Sequence, residues 1–279
     1  MDAGDERILG ILSGVDEIVD RHLCIEHIGT KPPRYVNKRA YIRLGNTGPS
    51  KAFTGTGLVG DVLARIEGNW RRRIRQQGPS NQNWRFEQHA RIASTNASRE
   101  TTLERAIVGA MPGSWANQVP TASGLYSTMS DRHRNLDLVH RVAPGKYEFI
   151  ELKVDRDAST DTPLHAAMKL LQYGVLYIFS RLTYPMPDPL GREILAAKTV
   201  HLQILAPAGF YGSYRLDWLE VALTLGLART IASHRHLSLV MDFAFTAFPP
   251  EFIWRCPDDA LIAAINGRKP VAWGPNSQS

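Results

Sequence analysis

Two short runs that alternate apolar and polar residues, 136–142 and 146–154, flank Ala143-Pro144-Gly145. A period of two puts neighbouring side chains on opposite faces, which fits a pair of antiparallel strands and excludes a helix. On the first run Leu136, Leu138 and Val142 face one way and Asp137, Val139 and Arg141 the other; on the second, Ile150, Leu152 and Val154 oppose Glu151 and Lys153. A three-residue loop at 143–145 would pair Val142 with Lys146, setting Leu138 opposite Ile150, Leu136 opposite Leu152 and Asp137 opposite Glu151. The register that aligns the apolar residues therefore also gathers the carboxylates. Opposed carboxylates destabilise a strand pair unless a positive charge lies between them, and a divalent cation meets that need. Mg²⁺ takes one or two carboxylates and completes its shell with phosphate and water. Glu148 and His140 fall on the apolar face, where a structural role is expected.

The surroundings of this hairpin alternate helix and strand. Ser98 can cap a helix running to Met111, with Leu103, Ile107 and Ala110 on its buried stripe and Glu100 and Glu104 on a neighbouring face. A weak strand is expected near Leu125. Thr162-Pro163 opens a helix to Arg181, and strand, helix and strand follow over 199–206, 214–232 and 237–247. Upstream, 6–23 reads as an amphipathic helix, 24–57 as Gly/Pro/Lys-rich chain with short strands, and 58–77 as a second helix. The expected class is α/β, a mixed sheet flanked by helices with a basic N-terminal helical extension. Residues 1–95 form that extension, 96–250 the core and 251–279 a C-terminal tail.

Charge is uneven along the chain. Residues 31–99 hold 14 Lys and Arg against three acids, whereas residues 100–279 hold 17 of each sign. A phosphate polymer would be drawn to the first third, where Lys38, Arg39 and Arg43 form one basic stretch and Arg71, Arg72, Arg73 and Arg75 another. The same arginines would also suit a helix C-terminus, where cations oppose the dipole. Gly55-Thr56-Gly57-Leu58-Val59-Gly60 matches the dinucleotide GxGxxG spacing, but no apolar strand precedes it, so that fold is rejected. The free N–H groups of the helix it opens could instead hold a backbone phosphate. Cys24 and Cys256 lack zinc or disulfide spacing and read as reduced thiols. The first residues lack a secretory signal and no apolar run spans a bilayer, so a cytoplasmic protein without a membrane partner is expected.

Asp137, Glu151-Leu152-Lys153 fourteen residues later, a preceding helical Glu104 and a following α/β unit resemble the PD-(D/E)XK nuclease superfamily. The resemblance covers roughly 96–206 and implies a restriction-endonuclease-like core of helix, three strands, helix and strand. Asn135-Leu136 replaces the Pro of the motif, and the Gln-x-x-x-Tyr pattern of some branches is only partly matched, with Lys169, Gln172 and Tyr173 in its place.

The resemblance implies an Mg²⁺-dependent endonuclease, with Mn²⁺ as substitute, hydrolysing DNA to 5′-phosphate and 3′-hydroxyl ends. Asp137, Glu151 and the Leu152 carbonyl would hold the metal, and Glu104, or Glu100 in its place, would complete the shell. Lys153 would position and help deprotonate the attacking water, and Lys169, Gln172 or Tyr173 would touch substrate phosphate. A homodimer would supply two sites for two strands. A non-cleaving nucleic-acid-binding scaffold and an RNA-cleaving nuclease remain the alternatives.

Overall fold

The computed structural model describes residues 10–26, 38–49, 53–72, 80–91, 98–125, 134–154 and 161–273. The helices are α1 (Val15–His22), α2 (Lys38–Thr47), α3 (Gly55–Arg71), α4 (Arg99–Ala110), α5 (Pro163–Thr183), α6 (Ala208–Tyr211), α7 (Asp217–Ala232) and α8 (Asp258–Asn266). The strands are β1 (Trp115–Pro120), β2 (Asn135–Ala143), β3 (Lys146–Leu152), β4 (Thr199–Ala206), β5 (Val240–Ala247) and β6 (Lys269–Pro270).

These strands form one six-stranded mixed sheet in sequence order. β3, β4 and β5 run parallel, because α5 and α7 each carry the chain back across the sheet, and the other neighbours are antiparallel. Helices cover both faces. α5 and α7 bury Val139, Phe149, Leu202 and Phe243, with α1 to α3 packed outside them. α4 and α8 bury Leu138, Ile150, Leu152 and Leu205 on the other face. Both faces of β3 are therefore apolar or committed, and Glu151 and Lys153 lie inside the protein rather than on a solvated outer face.

The hairpin pairs Leu138 with Ile150 as its pattern requires, but its turn differs from the expected one. Ala143, not Val142, pairs with Lys146, so the loop is Pro144-Gly145, with Gly145 at a φ of 75°. Val142 bulges out as an extra residue, restoring the register that the shorter turn would have shifted. Several other expectations change. The strand sought near Leu125 lies at 115–120, and 38–47 is a helix rather than strand, because Tyr41 and Leu44 pack one face inward. Residues 251–273 carry α8 and β6, and Leu261 and Ile265 pack with Leu103 and Ile107 of α4.

The glycine-rich GxGxxG segment is the first two turns of α3, capped by Thr54 Oγ1 accepting from Gly57 N–H at 3.3 Å. A Cβ on Gly55 would lie 1.8 Å from the Ala222 carbonyl oxygen, and one on Gly226 would lie 2.4 Å from that of Gly55. The glycines let α3 and α7 touch backbone to backbone, and Thr54 takes up the Gly57 N–H. No described helix is long and apolar enough to cross a membrane.

Candidate active site

Asp137 stands where the sheet loses its regularity. The pairing of β1 with β2 runs on either side of Gln118 and Asp137, and Gln118 adopts a left-handed φ of 51°. The β2–β3 pairing reaches Leu138 and Ile150, beyond which the Asp137 carboxylate, rather than a carbonyl, accepts the Leu152 N–H at 2.9 Å. Left-handed backbone at a non-glycine residue is strain that a packed surrounding must hold in place. Here it turns Gln118 so that its Nε2 donates to Glu104 Oε2 at 2.5 Å, bringing α4 to the same point.

Glu151 lies one residue before the end of β3 and is fully buried. Its Oε1 accepts from Lys153 Nζ at 2.9 Å and from Lys169 Nζ, on the second turn of α5, at 2.6 Å. Its Oε2 is buried with no hydrogen-bond partner among the described residues. Lys153 Nζ also stands 3.4 Å from Glu100 Oε1 and 3.4 Å from Asp161 Oδ2, and Asp161 Oδ1 is 3.2 Å from His165 Nδ1. Among the described residues the cluster thus holds five carboxyl groups (Glu100, Glu104, Asp137, Glu151 and Asp161) and the ammoniums of Lys153 and Lys169.

The electrostatics follow from that excess. Burial and the neighbouring Asp137 charge push Glu104 up to about 8, and burial with the Glu151 charge pushes Asp137 up to about 7. Burial also raises Glu100. Burial alone would raise Glu151 too, but Lys153 and Lys169 outweigh it and hold Glu151 ionised. Although burial opposes its charge, Lys153 is held well above its ordinary range by Glu151, Asp137 and Glu100. In this arrangement the Lys153 ammonium donates its hydrogen bonds to Glu151 and Glu100.

No three His, Cys, Asp or Glu side chains among the described residues form a ready-made metal cage. What the site offers is smaller: Asp137 and Glu151 at the diverging strand ends, the unpartnered Glu151 Oε2, and a carboxyl excess that a cation would relieve. Such a set suits Mg²⁺ or Mn²⁺ finishing its shell with phosphate and water, and does not suit a structural zinc.

The basic residues divide. α2, with Lys38, Arg39 and an exposed Arg43, lies beside the start of α5, where the Tyr41 ring meets the His165 ring edge-on at 6.0 Å. Exposed Arg71 and Arg72 end α3 next to Trp70, which packs on Phe179 near the far end of α5. The helix rise puts that end roughly 20 Å from His165. Arg73 and Arg75 lie outside the described residues. Gln172 is buried and donates to Asp16 Oδ1 at 3.0 Å, and Tyr173 is buried beneath Lys169, so neither side chain presents a surface to a polymer. Lys169 remains half-exposed at the cluster.

Three members were not singled out from sequence. Asp161 and His165 carry one legible signal, an acid just before a Pro-started helix and four residues before a histidine. Gln118 carries none, because its part depends on a backbone conformation. Glu148 and His140 take the structural role expected of them: His140 Nδ1 lies 2.7 Å from Glu148 Oε2, which Arg268 also contacts at 2.6 Å. No protein-family model, curated protein or solved structure matches the chain.

Proposed function

We propose that the chain is a metal-dependent nuclease that hydrolyses phosphodiester bonds, DNA above RNA, on a restriction-endonuclease-like core. The observation that carries this is the juxtaposition of Asp137, Glu151 and Lys153 where β2 and β3 part, with one buried Glu151 oxygen lacking a partner among the described residues. The carboxyl excess is costly in an apolar interior and has an evident use only if a cation and a phosphate enter. Mixed-sheet order with helices on both faces supports the same reading.

Asp137 and Glu151, with the Leu152 carbonyl, would hold Mg²⁺ or Mn²⁺, and Glu104 would orient that shell from α4 while tied to Gln118. The bound ion would neutralise charge on the phosphate and lower the pKa of a bound water. Lys153 and Lys169 keep Glu151 ionised, and Lys153 offers its ammonium to the attacking oxygen or to the charge that grows on the phosphate. Water oxygen bonds to phosphorus, the bond to the 3′ oxygen breaks, and the proton lost by water balances the one taken by the 3′ leaving group. The basic α2 beside α5 would draw the polymer in.

The test is cleavage of supercoiled plasmid, and of an RNA of matching sequence, by wild type, Asp137→Asn and Lys153→Met, each with Mg²⁺, Mn²⁺ or EDTA. Metal-dependent cleavage lost in both variants, with their folding retained, is expected. Equal cleavage by all three would refute the site. A second reading, a non-cleaving scaffold, is favoured by the two lysines that already neutralise Glu151. It predicts binding without cleavage in every metal.

A further inference from the structure

β3, β4 and β5 end side by side. The Lys153 N–H donates to the Leu205 carbonyl at 2.9 Å, and the Phe248 N–H donates to that of Ala206 at 3.0 Å. Crevices beyond the carboxyl ends of parallel strands are where open α/β sheets bind ligands. Beyond the end of β5, two strands across the sheet from the end of β3, lies a cavity of about 1030 Å³. Its lining includes the half-buried rings of Tyr214, Phe252 and Trp273, the exposed cations Arg215 and Lys269, and one acid, Glu251. Phe252 stacks on Phe248 with ring centroids 3.9 Å apart, and Phe248 packs with Leu152 and Leu205 behind the carboxylates.

The loop that carries Phe252 also meets the start of α4, the helix that bears Glu100 and Glu104. Trp254, two residues on, has the Arg255 guanidinium 4.3 Å and the Arg99 guanidinium 5.5 Å from its ring centroid. Arg99 precedes Glu100, which contacts Lys153. Aromatic rings interleaved with cations, between the start of α4 and a cavity at the strand ends, are what a strand with splayed bases binds: rings stack on bases and cations meet phosphates. A paired duplex keeps its bases stacked inside and could not fill such a cavity.

We propose that this cavity receives an unpaired nucleobase, so that the substrate is a single strand, or a strand locally unpaired near the scissile phosphate. The inference rests on the nuclease reading and narrows its substrate class.

The experiment measures fluorescence anisotropy in EDTA with a fluorescein-labelled single-stranded DNA and the duplex of the same sequence, using wild type, Phe252→Ala and Arg215→Glu. Arg215 is exposed, so its variant covers the case in which Phe252→Ala fails to fold. The single strand is expected to bind at least tenfold tighter than the duplex; Phe252→Ala should weaken it by about tenfold while leaving duplex binding unchanged, and Arg215→Glu should weaken the single strand more than the duplex. A 2-aminopurine base in the single strand is expected to be quenched by wild type and not by Phe252→Ala. Equal affinity for both substrates, with neither variant having an effect, would overturn the inference and leave the nuclease reading standing. Binding to neither substrate would overturn the inference and leave the nuclease reading to the metal-dependent cleavage test.

Discussion

The buried carboxyl excess makes stability fall as pH rises, and Glu104 is the group on which to measure it. Its carboxyl is raised from 4.5 to about 8 by burial, then by the charge of Asp137, with Glu100 and Glu151 adding to it and the Gln118 amide opposing. Lys153 and Lys169 face the same cluster from β3 and α5. Between these two values the folded chain keeps a proton that the unfolded chain has lost. Stability is therefore full below about pH 4.5 and declines as pH climbs through 8. One such proton is equivalent to about 1.4 kcal/mol per pH unit, hence about 4 kcal/mol between pH 5 and pH 8. Asp137, raised to about 7, shares the same repulsion, so the two shifts are not summed. Urea unfolding in EDTA across that range should show the decline in wild type. Glu104→Gln keeps an acceptor for Gln118 but cannot ionise, and should remove about 1.4 kcal/mol per pH unit from the slope. Stability that is flat with pH in wild type, or equal slopes in both proteins, would refute the reasoning.

Other expectations are more direct. Millimolar Mg²⁺ should raise the urea midpoint at pH 8 in wild type and fail to do so in Glu151→Gln, as read by the same titration. Gly55→Ala places a Cβ 1.8 Å from the Ala222 carbonyl oxygen, forces α3 from α7, and should cost about 2 kcal/mol or more, seen as a lower thermal midpoint. Leu261→Ala should cost roughly 2–4 kcal/mol in urea unfolding, because Leu261 packs on α4; a negligible effect would show α8 to be dispensable. Arg43→Glu, beside the site, should weaken DNA binding and flatten its salt dependence more than Arg72→Glu at the far end of α5, as measured by anisotropy against salt.

The period of two through 136–154 determines the hairpin, because one register alone buries Leu138 against Ile150. Helix signals were equally legible where a cap and a stripe coincide: Ser98 does accept from Thr101 N–H, and Thr162 with Pro163 does open α5. Local pattern also brought Asp137, Glu151 and Lys153 to one end of the hairpin, since alternation and register are short-range rules. What the pattern could not decide was depth and company. Glu151 reads as an outer-face residue until α5 covers it and brings Lys169 to its oxygen. Gln118 reads as an ordinary strand residue until a left-handed backbone turns it toward Glu104. The two basic stretches look alike in composition, yet α5 separates them, because which end of a long helix a neighbour packs on depends on contacts far apart in sequence. The crossovers that set β3, β4 and β5 parallel place the cavity and the carboxylates at the same end of the strands, although Glu151 and Phe252 are a hundred residues apart. Periodicity carries the direction of a side chain relative to its neighbours; only the packing of whole elements decides what that side chain meets.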